Sequence, residues 1–378
     1  MKRRLVPAAA LIVLALAPSA GASPNLRLGF DDDTLKWMVR PNGVVGLHHD
    51  LGVHTTRITI PWRRGELRPR RVSQTYLSRA ARAISLGQDV VIAVYGPAAQ
   101  APTGPRWRRQ YCGYLRHVLA VIPQFTGVVI WNEANSPRYW PTRSGAAGYE
   151  KLLARCWDAL HHLRHPVNVI DSTASHYDPA GFIRALGAAY RASGRTRPIV
   201  DTFGHNPYPE TASEVPWATH AAGGTIGEGD YAALLDALTD AFLFTAQPVP
   251  DAQHPSLWYL EDGFQTNVPP WLLSLYHGQE NDRSVVPALG TGMSQARQLR
   301  AAIFLAYCQP AVGAFFNFEL FDEHRLSGWQ SGVMYTNGER KSSFLPFRDT
   351  VAAVARRAVD CSRVAGAPVL PAPGTPTG

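Results

Sequence analysis

Eight short aliphatic runs punctuate this chain, each followed by a polar or Gly/Pro-rich stretch and then by a helix-like segment; no other feature restricts its fold so strongly. The runs are NLRLGF (25–30), TTRITI (55–60), DVVIAVYG (89–96), GVVIW (127–131), VNVID (167–171), RPIVDTFG (197–204), SLWYLE (256–261) and AVGAFFNF (311–318). Their apolarity is continuous, as in parallel strands covered on both faces, instead of alternating as in a half-exposed sheet. Between them lie amphipathic segments with readable ends. SQTYLSRAARAISLG (73–87) opens at Ser73, a good N-cap, and closes at Gly87, a good residue for the left-handed turn after a helix. The segments 146–165, 182–194, 230–242, 294–308 and 347–361 follow the same pattern. Eight strand-helix repeats predict one α/β domain, a (β/α)8 TIM barrel with long active-site loops over residues 23–362. A doubly wound open sheet fits less well, because no glycine fingerprint follows the first strand.

The first residues, MKRRLVPAAALIVLALAPSAGAS, combine a basic start, an apolar run and a small-residue site at Ala20-Gly21-Ala22. This predicts a signal peptide over residues 1–22, cut after Ala22, and a secreted or extracytoplasmic chain; as a membrane anchor, the run is shorter than the ~20 residues a span needs. Removing Lys2, Arg3 and Arg4 lowers the formal charge from +8 to +5. The remaining cations are scattered, so neither nucleic acid nor stable membrane insertion is expected. The Pro/Gly-rich stretch 363–378 reads as a disordered tail.

Four cysteines in an exported chain, none in a CxxC pair, favour disulfides over metal. Cys112 and Cys156 fall on the third and fourth helices of the expected barrel, and Cys308 and Cys361 on the seventh and eighth. Neighbouring helices of the outer ring would pair Cys112 with Cys156 and Cys308 with Cys361; free buried thiols are the alternative. HHLRH (161–165) falls at a helix end, where its side chains suit the dipole, and LHHD (47–50) is no more specific. No metal and no cofactor is expected.

In such a barrel the chemistry lies at the C-terminal ends of the strands. The fourth run ends in Asn132 and Glu133, and the seventh in Glu261. Two carboxylates entering one mouth from nearly opposite strands suit glycosidic bond cleavage, in which one protonates the departing oxygen and the other acts at the anomeric carbon. Asp262, beside Glu261, should point to the other side of its strand.

IWNEAN on the fourth strand and LWYLEDGFQT on the seventh resemble the clan A glycoside hydrolases, which include the cellulases and mannanases of family 5 and the β-xylosidases of family 39. The resemblance implies that Glu133 is the general acid/base and Glu261 the nucleophile of a retaining mechanism. It implies that Asn132 binds the sugar 2-hydroxyl, that Arg57 keeps the nucleophile ionised, and that Tyr208, in GHNPYP, hydrogen-bonds the same carboxylate. A charged Glu261 should raise the pKa of Glu133.

The chain also departs from that pattern. Many relatives carry histidine directly before Pro-Tyr, where this chain has Asn206 with His205 one place earlier, so His205 either reaches the sugar or packs. In place of the usual eighth-strand tryptophan stands FFNFELFDE, leaving Phe318, Glu319 or Trp329 to serve. Trp62, Trp140, Trp271 and Trp329 fall in presumed loops, where flat faces could stack on sugar or simply pack. Of Asp31, Asp32 and Asp33, Asp31 is best placed for sugar hydroxyls and the other two read as solvated loop. The resemblance thus implies a secreted retaining glycoside hydrolase of β-linked glycans or glycosides. The alternative is a barrel that binds carbohydrate at the cell surface without turnover.

Overall fold

In a computed structural model, residues 22–38 and 40–368 are described. They form β1 (Arg27–Asp31), α1 (Thr34–Trp37), α2 (Asn42–Asp50), β2 (Thr55–Pro61), α3 (Arg71–Ser85), β3 (Asp89–Tyr95), α4 (Pro105–Val121), β4 (Gly127–Ile130) and α5 (Gly145–Leu160). There follow β5 (Asn168–Ile170), β6 (Thr173–Ala174), α6 (Pro179–Ala192), β7 (Phe203–Asn206), α7 (Tyr231–Phe242), β8 (Leu257–Asp262), α8 (Gln295–Tyr307), β9 (Val312–Phe318) and α9 (Phe344–Ala355). The strands make one curled, all-parallel sheet in the order β5-β4-β3-β2-β1-β9-β8-β7-β6. Its two ends, β5 and β6, are separated in the chain by Asp171 and Ser172 alone. Ile170 bridges Thr202, and Asp171 accepts a hydrogen bond from the Gly204 amide at 2.7 Å.

Continuous apolarity has the expected cause. Alternate residues of one strand feed two separate cores: Val91 and Ala93 join Val129, Ile170, Trp258, Leu260, Ala314 and Phe316 on one face, while Val90, Ile92 and Val94 meet the helices on the other. Gly29 is required by this packing, because a Cβ there would lie 2.6 Å from the Phe316 ring.

Two local expectations shift and a third holds. The sixth strand begins at Phe203 and not in RPIVDTFG from residue 197, because the Ile199 and Val200 amides donate to Gln247 Oε1 and those of Asp201 and Thr202 share the Val169 carbonyl. Ser73 is not an N-cap: the extended Arg70 after Pro69 starts α3, and Ser73 is buried in its first turn. Gly87 does close the turn after α3, at φ +88°.

Disulfides join Cys112 to Cys156 and Cys308 to Cys361, with Cα–Cα distances of 4.9 and 5.5 Å. The first links α4 to α5. The second ties the residue after α8 to a short 3-10 turn, Cys361–Arg363, beyond α9 and not within an eighth helix. Closing loops of 44 and 53 residues stabilises the fold by about 4 kcal/mol each in the chain-entropy model. Val364 and Ala367 pack against the core, although the sequence predicts a disordered tail from residue 363. Residues 1–21, all but the last residue of the expected signal peptide 1–22, and residues 369–378 lie outside the described residues. No helix among the described residues is long and apolar enough to cross a membrane.

Candidate active site

The C-terminal ends of the strands open into a cavity of about 1060 Å³. Glu261 reaches it through an irregularity in β8. Tyr259 pairs with Phe315 and Asp262 with Asn317, so β8 carries one residue more than β9 over this interval. Such a bulge re-aims side chains. Glu261 thereby lines the cavity one residue after Leu260 joins the sheet core, while Asp262 is buried outside the cavity.

Glu133 arrives by a strained turn. Trp131 and Glu133 have φ values of +69° and +41°, a costly region for residues with a Cβ. Surrounding bonds hold this backbone. Trp131 N–H donates to Tyr111 Oη, Glu133 N–H to Ser172 Oγ, and the Trp131 indole N–H to the Tyr139 carbonyl at 2.7 Å. Asn135 clips the loop to Ala174 through both its amide oxygen and its nitrogen.

Arg57 organises the floor of the cavity. Fully buried on β2, its guanidinium donates to Asp31, to Glu261 Oε1 at 2.7 Å and to Asn132 Oδ1 at 2.9 Å. Burial alone would favour a neutral Arg57, but the charges on Asp31 and Glu261 outweigh it and hold the guanidinium protonated. Burial pushes Asp31 above the ordinary carboxylate range against the pull of Arg57, which serves two acids. Tyr208 donates to Glu261 Oε2 at 3.1 Å, and burial keeps that phenol protonated.

Glu133 has a different setting. One amide, Asn206 Nδ2, donates to its Oε1 at 3.0 Å. Burial raises its pKa to about 7, with the Glu261 charge the second cause, so the like charge expected from sequence contributes but does not lead. The arrangement sets a carboxyl group with a raised pKa and one claimed by two donors in the same cavity.

The remaining candidates divide. Asp31 lines the cavity, yet its Oδ2 is occupied by Arg57. Trp329 lines it with Phe318, and both pack on Tyr208, at centroid distances of 4.7 and 5.8 Å. Trp62 and Trp140 do not face the cavity. Both are buried edge-on against Trp131, and their indole N–H groups are satisfied by the Glu66 and Gly145 carbonyls; they buttress the turn that carries Glu133. His205 also packs: it bonds Thr173 Oγ1 at 2.9 Å and the Ile226 carbonyl at 2.8 Å, and burial lowers its pKa to about 4. Trp271 is 76% exposed and lies outside the lining.

Asp32 and Asp33 are not a solvated loop. Asp32 accepts from the Leu320 amide, and Asp33 from the Thr59 amide at 2.8 Å. Sequence reasoning passed over Tyr95 and Tyr139, whose rings meet edge to face in the lining. Tyr95 ends β3 and satisfies the strand-end criterion that found Glu133.

Among the described residues, only Glu210, Glu214 and His220 bring three metal-type ligand atoms within 4.8 Å of one another. His220 is already paired with Asp230 at 2.7 Å and Glu214 at 3.3 Å. His161, in HHLRH, caps α5.

No protein-family model matches the chain, and no curated protein matches it in sequence. Solved structures do match. The catalytic domain of an Ignisphaera aggregans GH53 protein superimposes with a TM-score of 0.57 at 14% identity, covering 88% of this chain and 98% of that one. Fungal β-1,4-galactanases give 0.55 at 15% identity over 85% and 98%. A Thermotoga maritima β-glucosidase gives 0.54 at 14% identity over 83% and 86%. The likeness is one of fold. At these identities it assigns no residue, and the site stands on its own geometry.

Proposed function

We propose that the protein is a retaining glycoside hydrolase of β-linked glycans or glycosides. The observation that carries this reading is the unlike treatment of two carboxyl groups in one cavity. Glu261 receives a guanidinium and a phenol, whereas burial holds the proton on Glu133. In the first step Glu261 attacks the anomeric carbon while Glu133 protonates the departing oxygen, so the C–O bond to the aglycone breaks as the glycosyl-enzyme ester forms. Esterification removes the charge on Glu261 and with it one cause of the raised Glu133 pKa. Glu133 then takes a proton from water, whose oxygen attacks the anomeric carbon and frees Glu261. Asn132, positioned by Arg57, is assigned to the 2-hydroxyl, and Trp329 with Phe318 to the sugar face.

Residues 23–362 are read as one catalytic unit. Its sheet closes to a (β/α)8 barrel if β5 and β6 are one strand interrupted at Asp171-Ser172, a reading supported by the Ile170–Thr202 bridge and the Asp171–Gly204 bond. Two disulfides support an oxidising, extracytoplasmic setting, with the signal removed after Ala22. Galactanase and β-glucosidase neighbours support a β-linked substrate.

The test is a panel of polysaccharides and aryl β-glycosides, with the anomer first released followed by NMR. The β-anomer is expected. Initial release of the α-anomer would overturn retention, and no turnover across the panel would leave a carbohydrate-binding barrel.

A further inference from the structure

The charge of the cavity is opposite to that of the protein. Ten of the chain's 29 acidic side chains line it, against two of its 37 lysines and arginines. The wall thus carries a formal −8 within a chain of +8. Three buried cations sit behind it: Arg57 against Asp31 and Glu261, Lys36 against Asp33 at 2.6 Å, and Lys341 against Asp322 at 2.6 Å. Even with these included, five formal negative charges stay uncompensated, or four while Glu133 holds its proton.

The excess is concentrated on one side, where the end of β9 meets the loop after β1. Asp32, Glu319 and Glu323 have no ion-pair partner among the described residues. Glu319 stands where β9 ends, with φ +74°, its amide donating to the Asp31 carbonyl at 2.9 Å. Its Oε2 is buried without a hydrogen-bond partner. Burial first, then the charges of Glu323, Asp32 and Asp322, push its pKa well above the ordinary range, a cost that a bound cation would relieve. These acids do not converge on a point as metal ligands do, since the one three-ligand cluster among the described residues is at Glu210, Glu214 and His220. Spread along a wall, they suit positive charges carried on a chain, and they repel uronic acids.

We propose that the substrate is a cationic glycan, a β-linked oligomer of amino sugars with free ammonium groups, one of which is received by Glu319 and Glu323. This rests on the glycosidase reading and narrows its substrate class.

The test compares β-1,4-linked glucosamine oligomers with their N-acetylated counterparts and with a neutral β-glucan, using the full protein at pH about 6, where the amines are largely charged. Cleavage of the amine series should exceed both others by roughly tenfold or more in kcat/KM. Its KM should rise with added salt, as long-range attraction is screened. Glu319→Gln and Glu323→Gln should each remove most of the preference for the amine series over the neutral glucan, with melting curves reporting the fold of each variant. Neutral or N-acetylated glycans cleaved as well as the amines would overturn this proposal and leave the glycosidase reading standing. No cleavage, but Glu319-dependent binding of the amine oligomer by calorimetry, would overturn the hydrolase and keep the cationic recognition. Neither cleavage nor binding of the amine oligomer, at any salt, overturns it outright.

Discussion

Glu261 and Glu133 share a cavity and differ in what surrounds them. At Glu261, both oxygens are claimed, one by a guanidinium that cannot lose its charge and one by a phenol that keeps its proton. At Glu133, a single amide touches the carboxyl group and burial dominates, lifting its pKa to about 7. Identical chemical groups thus sit in unlike surroundings: two donors claim the oxygens of one, and burial raises the pKa of the other. The difference teaches that role follows from donors and solvent access, not from residue type.

The most severe way to break this contrast is to remove the anion. Glu261→Gln should cost about 10⁴-fold or more in kcat on an aryl β-glycoside, while melting stays close to wild type because Arg57 keeps Asp31. Residual activity within tenfold of wild type would assign the nucleophile elsewhere. Glu133→Gln should cost about 10² to 10⁴-fold on a glycoside with a poor leaving group, and far less on an activated aryl substrate that departs without a proton.

The pH profile sharpens the same comparison. The protonated form of Glu133 is the acid, so kcat/KM should fall as pH rises through about 7, and this alkaline limb should vanish in Glu133→Gln. A limb that persists in that variant belongs to another group.

Arg57→Met addresses the other side of the contrast. It leaves Asp31 and Glu261 buried and unpaired, and should destabilise the fold by about 3 to 5 kcal/mol in urea unfolding. Unchanged stability would mean that the guanidinium is not what compensates the two acids. The smallest effect is expected at Asn206. Its amide favours the charged form of Glu133, so Asn206→Ala should move the alkaline limb up by up to about one pH unit. A downward movement would contradict the hydrogen bond.

Much of this site was legible because strand-end residues can be read from where an aliphatic run stops. Asn132, Glu133 and Glu261 were found that way, and Arg57 and Tyr208, taken from the family resemblance, make the bonds to Glu261 expected of them. The tryptophans were not legible. Trp62 and Trp140 have the same local signature as Trp329, a bulky ring in a polar loop, and only packing around Trp131 separates a buttress from a cavity wall. His205 misled for a similar reason. It sits beside Asn206 on β7, where alternation sends one side chain to Thr173 and Ile226 and the other to Glu133. Strict alternation would not by itself have chosen Glu261 over Asp262, because the choice depends on a bulge set by pairing with β9.

What the sequence by itself determined is the alternation of strand and helix and the residue types at strand ends. These follow from local periodicity and backbone preference, and they survive without knowledge of neighbours. What only the tertiary structure decided is which of those residues meet and in what charge state. Glu133 and Glu261 are 128 positions apart (261 minus 133). Their hydrogen-bond partners, the solvent they lose and the acidic wall beside them are properties of distances across the cavity, and distance in space is not written along the chain.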